Sequence, residues 1–385
     1  MRKILMSQVQ PGMSLGKNVF SPNGHILLAK GAVLTSGYLM RMQALGFSAL
    51  IIQEDFCGDI EFSEIISERY RVDGMITLRN VFEEAKKSRN INTGAIKSLV
   101  NGLTDEVIQN RRILFEVTDI RPYDSYLYGH CINVCIMALR VGLMLGYNEF
   151  QLRDLGVGAI LHDIGTVFID KQVSEKAGIL TSAEFEKMKK HSTDGFNLLR
   201  EQKDINLLSA HVAFQHHERI DGSGYPRALN GTEICEYAKI VSIADEFDAL
   251  TSERKHRKAY PNHVALSLIE QNTGNKIDSG IFNYFLKNIS IYPTGSLVEI
   301  NSGEVGLVIS NNSQNIASPV IRILTNSSKQ VHPNRYFRDI DLIKNSEVFI
   351  TRVITNEEEL AEDIKKQCDE ITGKTMGKAV VDSVV

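Results

Sequence analysis

Cysteine is scarce: the 385-residue chain has five, Cys57, Cys131, Cys135, Cys235 and Cys368, and no two form a CxxC pair. An odd number at irregular spacing argues against a disulfide framework and offers no thiolate set for a structural zinc, so free thiols in a reducing cytoplasm are expected. An excess of one charge is missing too. Against 47 Asp and Glu stand 43 Lys and Arg, a formal net charge of -4, which leaves no general electrostatic footprint for DNA or RNA. No apolar run reaches the roughly 18 residues a membrane span needs, because Arg140 and Arg153 interrupt the most hydrophobic region. After Met1-Arg2-Lys3 there is neither a sustained apolar segment nor a small-residue cleavage site, so no signal peptide is expected. Internal repeats and low-complexity tracts are absent as well. What remains is a soluble chain, 43% hydrophobic, with room for two or three domains.

What is present is a set of histidines and aspartates between His130 and Asp245. Val134, Met137, Val141 and Leu145 form an apolar stripe at three- and four-residue spacing, with His130 one turn before it. Asn148 and Gln151 can cap a second helix on which Leu155, Ala159 and His162 recur, followed by Asp163 and then Gly165 as a stop. The capping box Thr181-Ser182-Ala183-Glu184 starts a third, with Phe185 and Met188 before His191. Leu208, Val212 and His216 repeat at intervals of four, His217 beside them, and Val241 and Asp245 do the same. Each donor is thus expected at the end of a helical pattern. A lone histidine on an apolar face is more often a hydrogen-bonded core residue than a ligand. The pairs His162-Asp163 and His216-His217 shift that balance, because burying them without partners would cost several kcal/mol, and a metal is the simplest shared partner. Imidazole and carboxylate donors with open positions suit iron or manganese better than structural zinc.

Three stretches also resemble a known family. His162-Asp163-Ile164-Gly165, the run His216-His217-Glu218-Arg219-Ile220-Asp221-Gly222-Ser223-Gly224-Tyr225-Pro226, and Ala244-Asp245-Glu246-Phe247-Asp248-Ala249-Leu250-Thr251 are similar to the signatures of the HD-GYP domain, a branch of the HD phosphohydrolases. The likeness covers about residues 120 to 290. It implies a bacterial enzyme that hydrolyses cyclic di-GMP to pGpG or GMP, usually with iron or manganese; some members only bind the dinucleotide. It further implies one metal held by His130, His162, Asp163 and Asp245, and a second by His191, His216 and His217 with Asp163 bridging. A water shared by two such ions is acidified, so that a bridging hydroxide can attack phosphorus in line.

The departures also carry information. The family's lysine after the first-motif glycine is Thr166 here, which removes a cation from beside the scissile phosphate. The glutamate that holds a third metal in some members is Tyr126, favouring two metals, and a common tryptophan is Ile220. Arg254 and Arg257 match phosphate-contacting positions, although alone they read equally well as part of a solvated basic run. Gly224, Tyr225 and Pro226 belong to a tight loop beside the histidine pair, placed to shape the pocket or to meet a GGDEF-domain partner. Glu218 and Asp221 are candidate carboxylates behind the ligands.

The expected fold is mainly α: an HD-type helical bundle at 120–290, a small α+β amino-terminal domain at 1–60, a helical linker at 61–119, a β-rich segment at 291–355 and a tail at 356–385. Ser14 to Phe20 and His25 to Ala29 are expected to form a hairpin, Ser36 to cap a short helix, and Ala49 to Ile52 to return as a strand. Later strands are expected at Leu297–Ile300, Val305–Ile309, Val320–Leu324 and Val348–Val353, and His332 is expected to stay away from the metals. The linker helices are expected to pack within the chain, with a homodimer left open.

Overall fold

The computed structural model describes residues 1–21, 23–53, 60, 64–116, 126–174, 176, 178–253, 258–330 and 337–354. The expectations for Arg254, Arg257, His332 and the tail fall outside these residues. The fold is mainly α.

The chain opens with β1 (Arg2–Leu5), β2 (Ser14–Leu15), β3 (Val19–Phe20), β4 (Ile26–Leu28), α1 (Ser36–Ala44) and β5 (Ala49–Gln53). The stretch from Ser14 to Phe20 is not one strand. β2 pairs with β5, in the sheet β1-β5-β2, while β3 and β4 form a separate hairpin. The break comes at Gly16, where a Cβ would stand 2.9 Å from side-chain atoms of Ile51 and Met1, which would have to shift for any larger residue. Thr35 rather than Ser36 caps α1, accepting from the Tyr38 amide. Leu15, Met42, Leu50 and Ile52 close a core of their own.

Then follow α2 (Glu68–Ser88), α3 (Thr93–Gln109), α4 (Tyr126–Met144), α5 (Glu149–Ile160), a 3-10 turn (Ile164–Phe168), α6 (Lys171–Ser174), α7 (Ser182–Arg200), α8 (Leu207–Gln215), α9 (Glu236–Thr251), α10 (Asn262–Glu270) and α11 (Ser279–Leu286). Reciprocal capping boxes, Asn148 with Gln151 and Thr181 with Glu184, start α5 and α7. The central helix is α4, buried from Gly129 to Gly142 and packed by α2, α3, α5, α9 and α11. By length and composition alone it could cross a membrane, since an 18-residue stretch of it has a mean hydropathy of 1.4 despite Arg140, where the sequence reading expected no such run. Its burial among other helices, which covers 78% of that stretch, accounts for the composition. Leu78, Phe82, Val100 and Leu103 from α2 and α3 share one interior with Ile132, Leu155, Val241, Phe247 and Phe285.

Last come β6 (Leu297–Ile300), β7 (Val305–Ser310), β8 (Val320–Ile323), β9 (Arg338–Asp341) and β10 (Ile350–Val353), in the antiparallel order β10-β6-β7-β8-β9. Strand alternation sends Val305 and Leu307 to one apolar cluster and Val308, with Ile321 and Ile323, to another. β9 has no apolar alternation and was not expected; Arg322 and Asp339 pair across its boundary with β8.

Candidate metal centre

Five helices, α4 itself with α5, α7, α8 and α9, bring donors together. His130 lies in the first turns of α4, His162 and Asp163 follow α5, and His216 ends α8 with His217 next. His191 and Asp245 do not sit at helix ends. They lie inside α7 and α9, whose hydrogen bonding runs on to Arg200 and Thr251. All seven predicted side chains are brought together, in two groups whose donor atoms lie within 4.8 Å of one another: Asp163, His191, His216 and His217 in one, His130, His162 and Asp245 in the other. The Asp163 carboxylate joins them. Its Oδ2 is 3.6 Å from His162 Nε2, and its Oδ1 is 3.4 Å from His191 Nε2 and 3.7 Å from His216 Nε2. Asp245 also spans both, with Oδ1 3.3 Å from His130 Nε2 and Oδ2 3.9 Å from His217 Nδ1.

The imidazole tautomers follow from the backbone. His162 Nδ1 donates to the Ala159 carbonyl at 2.7 Å, His191 Nδ1 to Met188 at 2.7 Å, and His216 Nδ1 to Val212 and Ala213 at 3.1 and 3.0 Å. A neutral ring with its proton on Nδ1 carries a bare lone pair on Nε2. The Nε2 atoms of His191 and His216 are 3.3 Å apart, so two lone pairs face each other. His162 Nε2 is buried and has no hydrogen-bond partner among the described residues. Orphaning such a group costs roughly 1–3 kcal/mol, and a cation among these nitrogens removes both that cost and the lone-pair repulsion. The donor set fits divalent metal ions.

Protonation leans the same way. Burial pushes the pKa of His216 and of His217 well below the usual histidine range; the neighbouring histidines add to the effect, and Asp245 opposes it at His217 without overcoming it. Burial alone would raise the two aspartates, but His162, His191 and His216 hold Asp163 low, and His130 holds Asp245 well below the usual carboxylate range. His130 is the exception. Burial opposes its cation, yet Tyr126, Asp245 and Asp248 outweigh that and lift its pKa well above ordinary.

Several contributing residues were not assigned from the sequence. Asp248 Oδ2 accepts from His130 Nδ1 at 2.7 Å and is fully buried, the arrangement that fixes a ligating ring and raises its basicity. Asp248 lies three residues after Asp245 on one face of α9, and that spacing was legible. Lys189 was missed too. Its Nζ stands 5.4 Å from the Phe185 ring centre and 5.7 Å from that of Tyr225, and pairs with Glu186 at 2.5 Å.

The Gly-Tyr-Pro loop folds back over the centre. A Cβ at Gly224 would lie 2.4 to 2.5 Å from the backbone of His217, Glu218 and Arg219, so no larger residue permits this path. Tyr225 donates its amide to the His217 carbonyl and stacks on that imidazole, with ring centres 4.7 Å apart. Pro226 follows through a cis peptide. Glu218 and Asp221 do not stand behind the histidines. Glu218 is buried and accepts from the amides of Arg227 and Leu229, bracing the loop, while Asp221 accepts from Ser223. Thr166 is close by, but its hydroxyl turns back to donate to the Asp163 carbonyl at 2.7 Å. Tyr126 stacks on His130, with centroids 5.5 Å apart.

With this geometry in place, comparison with known proteins gives the class. Residues 109–281 match the HD domain family model, and residues 297–362 match a KOW domain associated with HD domain. This is an HD-domain protein. Among curated relatives, a cyclic di-GMP phosphodiesterase of Pseudomonas aeruginosa is 28% identical over 66% of this chain and 61% of its own length. One of Thermotoga maritima is 38% identical over 45% of this chain and 49% of its own, and a 3'3'-cGAMP-specific phosphodiesterase of Vibrio cholerae is 33% identical over 44% and 36%. The chain therefore spans about half the length of the curated relatives it matches. The HD domain match and the cyclic di-GMP phosphodiesterases among this chain's relatives support the likeness to the HD-GYP family.

Proposed function

We propose that this chain is a metal-dependent phosphodiesterase acting on cyclic di-GMP in the cytoplasm, with His130, His162, Asp163, His191, His216, His217 and Asp245 holding two divalent ions, iron or manganese. The observation that carries the reading is the pair of facing Nε2 lone pairs on His191 and His216, beside the orphaned Nε2 of His162. When bound, the ions supply Lewis acidity, drawing charge from phosphate oxygens and lowering the pKa of water. The chain's own groups do the rest. Asp163, reaching both donor groups, sets their spacing, and Asp248 fixes the His130 ring. Tyr225, stacked on His217, covers one flank and narrows access for water, and Lys189 offers a cation to a phosphate entering past it. Arg254 and Arg257 are further phosphate contacts in this reading, and 120–290 is its catalytic domain.

The Thr166 hydroxyl, spent on a backbone carbonyl, favours a second reading. Without a cation there the site would hold cyclic di-GMP, or a GGDEF-domain partner on its Gly-Tyr-Pro loop, with little turnover. One experiment separates the two. The full chain is loaded anaerobically with Fe2+ or Mn2+, metal per chain is measured, and products from cyclic di-GMP are resolved by chromatography. Fewer than two ions per chain overturns the two-ion reading. Two ions with intact dinucleotide select the receptor, and pGpG or GMP selects the enzyme. 3'3'-cGAMP run in parallel tests the choice of dinucleotide.

A further inference from the structure

α2 lies outside the residues that match the HD domain, yet a hydrogen-bond chain connects it to a predicted metal ligand. Arg71, one turn into α2, donates from Nη1 to Asn133 Oδ1 at 2.6 Å. Asn133 Nδ2 donates to Asp248 Oδ1 at 2.7 Å, and the other Asp248 oxygen takes the Nδ1 proton of His130 at 2.7 Å. His130, Asn133 and Asp248 are all buried to within 2% of complete. In such surroundings the orientation of the Asn133 amide is decisive. One orientation presents N–H to the Asp248 carboxylate; the flipped one sets carbonyl oxygen against carboxylate oxygen. Arg71, a donor that never accepts, enforces the first by occupying Asn133 Oδ1.

The far end of this chain is tied to the amino-terminal unit. Asn18 donates to Glu68, three residues before Arg71, at 3.1 Å, and Lys17 pairs with Glu64. Gly24, in the turn between β3 and β4, lies so close that a Cβ there would be 2.7 Å from Ile76 and 3.2 Å from Val72. At the other end of α2, the Arg89 guanidinium sits 4.8 Å from the ring centre of Phe168, in the 3-10 turn that follows Asp163.

We infer that Arg71 is a positioning residue for the metal centre, acting through Asn133 and Asp248 on His130, and that α2 thereby links the amino-terminal unit to the affinity of the centre for its ions. The inference rests on the metal reading of the seven side chains. Partners behind a metal-ligating histidine typically govern about 10- to 100-fold in metal affinity, and Arg71, one link further back, is expected near the lower end, about tenfold.

The test is Mn2+ binding to the full chain, followed by calorimetry and by the electron paramagnetic resonance spectrum of the bound ion. Arg71→Met and Arg71→Leu, two variants of different bulk without a donor, are expected to weaken binding about tenfold and alter the spectrum, while Arg71→Lys recovers most of both. The paired change Asn18→Ala with Lys17→Ala is expected to weaken binding in the same direction by less. Wild-type affinity in the Met and Leu variants overturns the inference, and so does an equal loss in Arg71→Lys, which would place the effect in packing rather than in the donor. Unchanged affinity in the Asn18, Lys17 variant removes the link to the amino-terminal unit. Absence of Mn2+ binding by the unsubstituted chain removes the metal reading itself, so the two failures are distinguishable.

Discussion

The closest backbone approach in the centre makes a sharp prediction at Gly165, just past the His162-Asp163 pair. A Cβ built there would stand 2.0 Å from the His191 carbonyl oxygen, 2.6 Å from the Gly195 nitrogen and 2.8 Å from the His191 carbonyl carbon. Real Cβ atoms essentially never come under 3.0 Å, so Gly165→Ala must move the 3-10 turn and α7 apart by at least the difference between 2.0 and 3.0 Å. The obstacle is backbone and cannot rotate away. Overpacking of this kind costs about 1–3 kcal/mol, and an immovable carbonyl places Gly165→Ala at the upper end. The same displacement opens the 3.4 Å gap between Asp163 Oδ1 and His191 Nε2. Misplacing reacting groups by about 1 Å can cost on the order of a hundredfold in rate. Urea unfolding and Mn2+ titration read the two consequences separately. Gly195→Ala is the internal control: its Cβ would meet the Gly165 nitrogen at 3.3 Å and Ala213 at 3.5 Å, so its loss should be smaller. A Gly165→Ala protein within about 0.5 kcal/mol of wild type, with unchanged Mn2+ affinity, would refute the reasoning.

Thr166→Lys restores a cation beside the proposed phosphate position and is expected to raise kcat for cyclic di-GMP by about a hundredfold; an unchanged kcat means the cation is supplied elsewhere. Lys189→Gln is expected to raise KM for cyclic di-GMP about tenfold with kcat nearly constant, as fits loss of one charge-assisted contact, and steady-state kinetics checks the split. Stability of the metal-free chain is expected to peak near pH 6.5. Below about 6.5 the unfolded chain takes up protons that His216 and His217, with depressed pKa values, refuse when folded, so stability falls. Above it, the contribution of His130, whose folded pKa is raised, is lost as pH climbs through that value. Urea midpoints across pH 5 to 9 measure the curve, and a monotonic rise would count against these shifts.

Much of the centre was legible in the sequence because periodicity of four aligns a donor with an apolar face: Val212 and His216 on α8 are both fully buried, although Leu208, the first member of that repeat, is exposed. Helix extents were less legible. Thr181 and Glu184 mark where α7 begins, but nothing at His191 marks an end, and Gly195 serves close packing instead of stopping the helix. Asp248 and Asn133 sit one turn from Asp245 and His130, and that spacing was there to be read. Arg71 could not have been found, because its pairing with Asn133 spans 62 positions and is made by tertiary packing alone. The split of Ser14 to Phe20 into β2 and β3 depends likewise on tertiary pairing, β2 with the distant β5 and β3 with β4.

The shared interior of α2, α3 and α4 decides where this polypeptide can be severed. A fragment beginning at residue 109, where the family match starts, would discard Leu78, Val81, Phe82, Val100 and Leu103 and lay bare the greasy trench they fill along Ile132 and Leu139. Exposed apolar ground of that kind invites self-association. A cut near residue 64, upstream of Ile65 and Ile66, keeps the trench roofed and is the sounder boundary for a recombinant piece that carries the HD domain.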